Sequence, residues 1–342
     1  MTTYKDSGVN IAQADAAKRA MAKSIDTGDK RVLNRHGAFA SLVEGSFPGY
    51  KEPVLVLKTE EPGSKQKLAF AHGNVRSICF DTINHLINDI IVMGATPLFV
   101  QDAVICGKIE PKVVTEIVDG FASACKEQGC VLTGGETSEQ PGVLPAGTYI
   151  LTASIVGVVE KAKIIDGSAI KEGDIVLALP SNGLHTNGYS LVRRLMESQP
   201  KILKEKVGSD SFLDAILKPH TCYFPHLKGL FRNPALHGLA HITGGGIPGN
   251  LHRILPKGLD AEIDLGTINV LPIFKVIQKY GDVPTEDMLR TYNLGVGIIA
   301  VVDAKEASAI ASALKKSGCA AYPIGKIVKG NQKVKTSGSL QW

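Results

Sequence analysis

The chain has 342 residues, 44% of them apolar and 21% charged, which is the composition of a globular protein with two domains of ordinary size. The net charge is +5. However, the lysines are scattered and no arginine-rich or aromatic stripe accompanies them, so a solvated surface is favoured over a nucleic-acid-binding one. No apolar run approaches the length of about 18 residues that spans a membrane. The N-terminus lacks the pattern of a signal peptide, so we expect a cytoplasmic location.

The six cysteines show no C-x-x-C pair and no histidine at zinc-finger spacing. In a chain of this length an even cysteine count does not indicate a disulfide framework. We therefore expect reduced, buried thiols. They are Cys79, Cys106, Cys125, Cys130, Cys222 and Cys319.

The first half alternates between helical and strand patterns. Gly94 and Gly129 stand where C-terminal helix caps belong, and Pro111 stands where a helix begins. The predicted elements are a helix over 10–25, a strand at 54–57, a loop over 59–67, a helix over 79–93, a strand at 98–105, a helix from 111 to 129, a strand at 131–133 and a strand at 149–160.

Polar residues and two glycines at 166–173 interrupt the apolar pattern and indicate a domain boundary. Beyond it, strands and helices alternate again, which predicts α/β or α+β domains. The predicted elements are a strand at 175–179, a helix from Gly188, a glycine-rich turn at 240–250 entering a helix, a strand at 294–302, a helix over 304–316 and a strand at 320–327.

Three glycine-rich segments could bind an anion through backbone N–H groups. They are GGET at 134–137, the turn at 181–188 and the glycines at 244–246. Each is weak evidence alone, because glycines mark tight turns more often than ligand sites. The chain has no G-x-x-x-x-G-K-[ST] and no proper G-x-G-x-x-G fingerprint, so neither a P-loop nor a dinucleotide fold is supported.

Carboxylates at the ends of first-half elements are candidate Mg²⁺ ligands. Asp89 is the most unusual because it lies in an apolar predicted helix. His85 precedes it by four residues, and a plain pairing of the two is the favoured reading from spacing alone. The candidates are Glu60, Glu61, Asp89, Asp102, Glu136 and Glu139.

Histidines form the last group of candidates. His185 and His241 stand in glycine-rich turns, where a side chain can meet a ligand. The others are expected at the surface or half-buried; they are His36, His72, His220, His226, His237 and His252. The sequence has no G-x-S-x-G elbow, so a nucleophilic serine is not indicated. The residues alone thus point to an anion-binding enzyme that could use a magnesium nucleotide.

The chain resembles the phosphoribosylformylglycinamidine cyclo-ligase (aminoimidazole ribonucleotide synthetase) family. The resemblance runs from residue 4 to about residue 300, with the motifs in family order. They are YKDSGV at 4–9, ND at 88–89 followed by GATPLF at 94–99, GGETSEQPG at 134–142, IIDGSAIKEG at 164–173, HTNGYSLVR at 185–193, HITGGG at 241–246 and YNLGVG at 292–297.

This resemblance implies an α+β protein of two domains. The N-terminal domain (1–168) would bind ATP and pair its sheet with that of a second copy, forming a homodimeric barrel. The C-terminal α/β domain (169–342) would hold the substrate. The implied reaction uses Mg-ATP to activate the formyl oxygen of formylglycinamidine ribonucleotide, so that the imidazole ring of aminoimidazole ribonucleotide closes in purine biosynthesis.

Site residues follow from the resemblance, position by position. The implied catalytic residues are Asp89, His185 and Lys65, with Lys65 neutralising phosphate charge. The implied ATP-binding residues are Glu60, Lys65, Asn88, Asp89, Asp102, Gly134, Gly135, Glu136 and Thr137, of which Asp89, Asp102 and Glu136 would bind magnesium. The implied substrate-binding residues are His185, Asn187, His241, Gly244, Gly245 and Gly246.

Three segments depart from the family pattern. Residues 59–65 read TEEPGSK where the family has T-D-G-V-G-T-K, so that the loop is stiffer and more negative unless Mg²⁺ or Lys58 offsets the charge. Residues 219–223 read PHTCY in place of P-T-R-I-Y, and the glycine-rich run is reduced to NRHGA at 34–38.

Two alternatives stay open. One is another ATP-dependent activation of the same superfamily, although selenophosphate synthesis is disfavoured because no cysteine precedes Cys79. The C-terminal Leu340-Gln341-Trp342 likewise lacks the cysteine tail of hydrogenase maturation proteins. The other alternative is a silent dimer that binds nucleotide without turnover, and its support is the altered loop at 58–65.

Overall fold

A computed structural model describes residues 21, 25, 28–34 and 38–342. The YKDSGV motif, Arg35, His36 and Gly37 lie outside these residues, as does the helix predicted over 10–25 apart from Met21 and Ile25, which are helical. The described residues form two compact units, one of residues up to 90 together with 95–161 and the other of residues 91–94 and 162–342.

The first unit is built on a four-stranded sheet in the order β1-β4-β2-β3. β4 pairs antiparallel with both β1 and β2, and β3 pairs parallel with β2. The strands are β1 (Pro53–Glu60), β2 (Thr96–Cys106), β3 (Val131–Glu139) and β4 (Tyr149–Glu160). The helices are α1 (Lys65–Ala71), α2 (Val75–Ile91) and α3 (Pro111–Gln128).

Helices pack on one face of this sheet. α3 contacts β2 and β3 and meets α2 where Gly120 faces Cys79, so closely that a Cβ on Gly120 would lie 2.9 Å from the cysteine Sγ. Gly129 ends α3 in a left-handed conformation with φ 76°, as its position after the helix predicts. α2 leaves its carboxyl end, which carries Asp89, beside the end of β1.

The second unit has a six-stranded sheet in the order β12-β9-β11-β5-β10-β8, together with the two-stranded β6-β7. The strands are β5 (Ile175–Pro180), β6 (Lys206–Val207), β7 (Asp210–Ser211), β8 (Leu236–His241), β9 (Leu259–Asp264), β10 (Val296–Val302), β11 (Tyr322–Lys329) and β12 (Val334–Ser337). The helices are α4 (Tyr189–Ser198), α5 (Phe212–Leu217), α6 (Phe224–Leu227), α7 (Gly246–Leu251), α8 (Pro272–Gly281), α9 (Thr285–Thr291) and α10 (Ala307–Lys316).

The α/β prediction for this second unit is wrong in one respect. Its strands pair antiparallel, apart from β12 with β9, so the unit is α+β. Alternating strands and helices in a sequence do not reveal strand direction. Here β5, β8 and β9 run in one direction, and the later strands β10 and β11 run in the opposite direction between them, so that neighbouring strands pair antiparallel.

All six cysteines are buried free thiols, as predicted. Among the described residues, no helix is long and apolar enough to cross a membrane.

Candidate functional site

Two carboxylates and a lysine meet where β1 ends beside α2. Lys58 and Glu60 alternate with Thr59 on β1 and therefore point to the same face of the sheet. The Nζ of Lys58 lies 3.0 Å from Glu60 Oε2 and 3.1 Å from Asp89 Oδ2. Burial lowers the pKa of Lys58, but Asp89 and Glu60 outweigh burial and raise it overall. A cation is thus held between two carboxylates that belong to separate elements.

His85 borders the same cluster from the preceding turn of α2. Its Nε2 lies 3.7 Å from Asp89 Oδ2 and 4.0 Å from Glu60 Oε2. His85 and Asp89 are therefore neighbours, as their spacing predicts, but these two atoms are farther apart than in a hydrogen bond. Asp89 has a nearer cationic neighbour in Lys58, which sequence spacing did not connect to it.

Asp102 lies on the same face of the sheet as Glu60. Glu60 pairs with Ala153 of β4, and Ala153 pairs on its other side with Asp102 of β2. Glu60 and Asp102 thus stand two strands apart, roughly 10 Å between their backbones. Asp102 is buried, and burial raises the pKa of its carboxyl to about 7.

Gly135 makes room for the Asp102 carboxylate. The two residues are partners in the parallel pairing of β2 and β3, and a Cβ on Gly135 would overlap both the carboxylate and the carbonyl oxygen of Asp102. The glycine is therefore required by close packing between neighbouring strands.

GGET at 134–137 is a strand rather than the predicted glycine-rich turn. It continues β3, with a β-bulge where the register shifts between Val100 and Gln101. Gly134 has a φ of 142°, which a side chain rarely permits. The hydroxyl of Ser41 donates to the Thr133 carbonyl oxygen at 2.9 Å, so that the bulge is covered by the segment before β1.

The three carboxylates predicted to bind magnesium do not share one face. Glu136 pairs with Ala103, the residue after Asp102, and successive side chains alternate between faces. Glu136 is exposed on the face opposite to that of Asp102. Within this unit, Glu60 rather than Glu136 shares the face of Asp102, and Glu60 also lies with Asp89 around Lys58.

Lys65 is placed differently from its predicted role. It is the first residue of α1, fully buried, with its Nζ 2.7 and 2.8 Å from the two carboxylate oxygens of Asp81. Burial lowers the pKa of Lys65, and Asp81 partly offsets this effect. Lys65 is thus part of an internal ion pair, whereas Lys58 is partly exposed. Asn88 is also buried, within α2.

The second unit presents the predicted substrate-side residues on two loops. His185 and Asn187 belong to the loop between β5 and α4, where His185 has a φ of 61°. The side chain of Asn293 secures this loop, since it donates to the Gly183 carbonyl oxygen at 2.9 Å and accepts from the Ser181 hydroxyl at 2.9 Å.

The glycine loop at 244–246 lies between β8 and α7. A Cβ on Gly246 would overlap the Leu289 carbonyl oxygen, so a glycine is needed where the loop crosses α9. The side-chain amide of Asn250 donates to the carbonyl oxygens of Gly244 and Gly246 at 3.2 and 2.9 Å. Asn250 thus holds the loop that carries the predicted substrate glycines, a role that its isolated position in the sequence does not reveal.

The expectation that the other histidines are surface or half-buried is wrong for two of them. His237 is buried with its Nδ1 2.6 Å from Asp174 Oδ2. His220 is 1% exposed, and its Nε2 lies 3.1 Å from the Nε2 of His241. Neither has a periodic apolar neighbourhood in the sequence that would have indicated burial.

A prediction follows for Asp102. Its folded-state pKa lies above that of an unfolded aspartate, so the folded protein binds more protons between about pH 4 and pH 7 and loses stability as pH rises through that window. We expect Asp102→Asn to raise the free energy of unfolding by up to about 4 kcal/mol at pH 8 and by only about 1.5 kcal/mol at pH 5. Urea unfolding without divalent ions measures both values.

The control for Asp102 is Glu116→Gln, which alters an exposed carboxylate on α3. It should leave stability nearly unchanged at both pH values. An equal effect of Asp102→Asn at pH 5 and pH 8 would contradict a buried carboxyl that titrates near neutrality.

Comparison with known proteins gives a family. Two family models match, the N-terminal domain of "AIR synthase related protein" over residues 50–159 and its C-terminal domain over residues 171–336. The chain belongs to the AIR synthase related family. A phosphoribosylformylglycinamidine cyclo-ligase of Chromobacterium violaceum is 41% identical over 95% of this chain and 94% of its own length. One of Acetivibrio thermocellus is 40% identical over 97% and 98%.

Solved structures with this fold are more distant in sequence. The hydrogenase maturation protein HypE of E. coli superposes with a TM-score of 0.68 at 16% identity, covering 95% of this chain and 94% of its own. Thiamine-monophosphate kinase of Stenotrophomonas maltophilia gives 0.64 at 17% identity, covering 94% and 96%. These likenesses establish the fold that AIR synthase related proteins share with them.

Proposed function

We propose that this chain is an ATP-dependent cyclo-ligase that converts formylglycinamidine ribonucleotide to aminoimidazole ribonucleotide. In this reaction the formyl oxygen of the substrate leaves as phosphate and ATP becomes ADP, while a nitrogen of the substrate forms the new C–N bond of the imidazole ring. The observation that carries the proposal is the identity of about 40% to cyclo-ligases over nearly the whole of both chains.

The carboxylates of the first unit fit a hard divalent cation. Glu60 and Asp89 already hold the Lys58 ammonium between them, and Asp102 is a carboxyl whose raised pKa would fall beside a positive ion. Carboxylate oxygens are the protein ligands of magnesium. We assign Glu60, Asp89 and Asp102 to magnesium, which when bound would neutralise phosphate charge.

Lys58 supplies the remaining charge of this site. The lysine is partly exposed, and its long side chain can turn from the carboxylates to a phosphate oxygen when a metal ion takes its place. His85 borders the site within 4.0 Å of both carboxylates. The ammonium offsets the extra acidity of the altered loop, in which Glu60 faces the cluster and Glu61 is exposed.

The second unit is proposed to bind the ribonucleotide. Asn187 is partly exposed and offers a hydrogen-bonding side chain, whereas His185 and His241 are buried and would support this site from within the unit. Gly244, Gly245 and Gly246 leave the backbone open to close approach. Because the carbonyl oxygens of Gly244 and Gly246 accept from Asn250, the loop is held in one conformation before any ligand binds, which lowers the entropy cost of binding.

The test is ADP release from the purified protein with Mg-ATP, with and without formylglycinamidine ribonucleotide, alongside detection of the aminoimidazole product. We expect ADP release to depend on the ribonucleotide and to match the product one for one. Binding of ATP without product would favour the silent dimer. ADP release without dependence on this ribonucleotide would favour a different substrate.

The homodimer is part of the proposal, with the sheets of two first units pairing into a barrel. Its support is apolar surface on β1, an edge strand of the sheet, where Leu55 and Leu57 are 50% and 69% exposed. Exposed apolar side chains on an edge strand are a liability unless another surface covers them.

Leu57→Lys is expected to convert the dimer to a monomer, because it would place a charge within the apolar contact. Sedimentation equilibrium measures the mass. The matched control is Leu203→Lys in the second unit, where the leucine is 41% exposed; this variant should keep the mass of the unaltered protein. A dimeric Leu57→Lys protein, or a monomeric unaltered protein, would remove β1 as the contact.

A further inference from the structure

Three buried histidines from separate segments meet in the second unit. His185 lies in the loop after β5, His220 between α5 and α6, and His241 at the end of β8. These three histidines are 2%, 1% and 6% exposed, in that order. Each buried imidazole has polar nitrogen atoms whose burial is unfavourable without a bonding partner. The convergence of three such rings therefore needs an explanation.

The ring geometry brings their nitrogens together. The Nε2 atoms of His220 and His241 are 3.1 Å apart, and the rings of His185 and His220 stack with centroids 3.8 Å apart and planes at 22°. One ring nitrogen from each histidine can be chosen so that all three lie within 4.8 Å of one another.

These separations are close to those around a bound metal ion. Zinc–nitrogen bonds of about 2.05 Å in tetrahedral geometry separate two ligand nitrogens by about 3.3 Å, against the 3.1 Å between His220 and His241. His185 must turn its ring out of the stack to aim a lone pair at the same point. A Cβ on Gly297 would overlap the Tyr223 hydroxyl and lie 2.9 Å from His185 Cε1, so a glycine is needed here for both rings to pack against β10.

We propose that His185, His220 and His241 form a binding site for a borderline divalent metal ion of the zinc class. Three neutral imidazoles suit such an ion far better than they suit magnesium. The fourth position is left for water, hydroxide or another anion, as in other three-histidine zinc sites. Both Nε2 atoms of the close pair would bind the ion, so each of these rings would carry its proton on Nδ1.

The third ligand departs from the family pattern. His185 and His241 belong to the HTNGYSLVR and HITGGG motifs that it has in common with the cyclo-ligase family. His220 stands in PHTCY at 219–223, where the family pattern P-T-R-I-Y has threonine. The metal site therefore goes beyond the proposed cyclisation and can be tested without it.

The test uses untagged, chelator-treated protein and cobalt(II) as the probe, because tetrahedral cobalt absorbs visible light. We expect one cobalt ion per chain, displaced by zinc with loss of the visible bands, and a rise in melting temperature with either metal. His220→Thr, which restores the family residue, should weaken binding at least about 100-fold, because a three-ligand site loses one ligand. The matched control is His252→Thr, an exposed histidine of the same unit, which should bind like the unaltered protein.

A second variant identifies residue 220 as a direct ligand. His220→Cys keeps a ligand atom at this position, so it should bind cobalt and add intense near-ultraviolet bands from the new cobalt–thiolate bond. The inference is overturned if the unaltered protein binds neither cobalt nor zinc at micromolar concentration. It is also overturned if folded His220→Thr binds as tightly as the unaltered protein, or if cobalt-loaded His220→Cys shows no thiolate bands. In those cases the three rings serve only to hydrogen-bond and pack against each other.

Discussion

Asp89→Asn is expected to lower kcat/KM for ATP-dependent turnover by about three orders of magnitude, because an amide cannot neutralise the metal ion that accompanies the phosphates. Lys58 now contacts both Glu60 and Asp89. In the variant, Glu60 would be the one carboxylate of this pair that remains. Substrate-dependent ADP release measures the effect. The fold should persist, since Asp89 stands at the partly exposed end of α2.

The control for Asp89 is Asp287→Asn, the same chemical change at an exposed position on α9. It should keep the activity of the unaltered protein. The melting temperatures of both variants show whether the fold is retained. Activity of Asp89→Asn close to that of the control would remove Asp89 from the site and leave Glu60 and Asp102 as the remaining candidates.

Lys65→Met is expected to cost about 3 to 5 kcal/mol of stability, because removing one partner of a buried ion pair leaves the other charge without compensation. Asp81 would remain buried, at 0% exposure, without the ammonium that now lies 2.7 Å from its Oδ2. Urea unfolding at pH 7 measures the loss as a lower midpoint with an unchanged slope.

The double variant Lys65→Met with Asp81→Asn separates the two roles considered for this lysine. If the ion pair is structural, the double variant should lose less unfolding free energy than the two single variants lose together, because no isolated buried charge remains. If Lys65 instead served mainly to bind phosphate, Lys65→Met would keep its unfolding midpoint and raise KM for ATP. That result would restore the role inferred from the sequence.

The sequence predicts secondary structure best where local signals agree. β4 matches its predicted range, 149–160, because a long β-branched run specifies it. α3 begins at Pro111 and ends before Gly129 as predicted, because a proline start and a left-handed glycine end act locally. By contrast, the loop predicted over 59–67 contains the end of β1 and the beginning of α1. Its polar residues satisfy tertiary contacts, such as the Lys65–Asp81 ion pair, that no local pattern encodes.

The site residues likewise divide into those that the sequence could predict and those that it could not. Asp89 could be singled out as a carboxylate in an apolar element, and Asp102 could be singled out through the family resemblance. The structure places both in the first unit with Glu60. Glu136 could not be separated from them by sequence, because the face on which a strand residue points depends on the register with its neighbour. His220 gave no signal either, since its two histidine neighbours are 35 and 21 positions away along the chain. Only the folded sheet brings them together.

The contact between Gly135 and Asp102 has a consequence for how sequences of this kind can diverge. A Cβ at position 135 would meet the backbone carbonyl oxygen of residue 102 as well as its carboxylate, and the first of these obstacles does not depend on the side chain at 102. A lineage that loses the acid at 102 therefore still retains glycine at 135 as long as β2 and β3 keep this register. Glycine at 135 in a newly found sequence would thus report the close pairing of these two strands, and it would remain there after the acid had been lost.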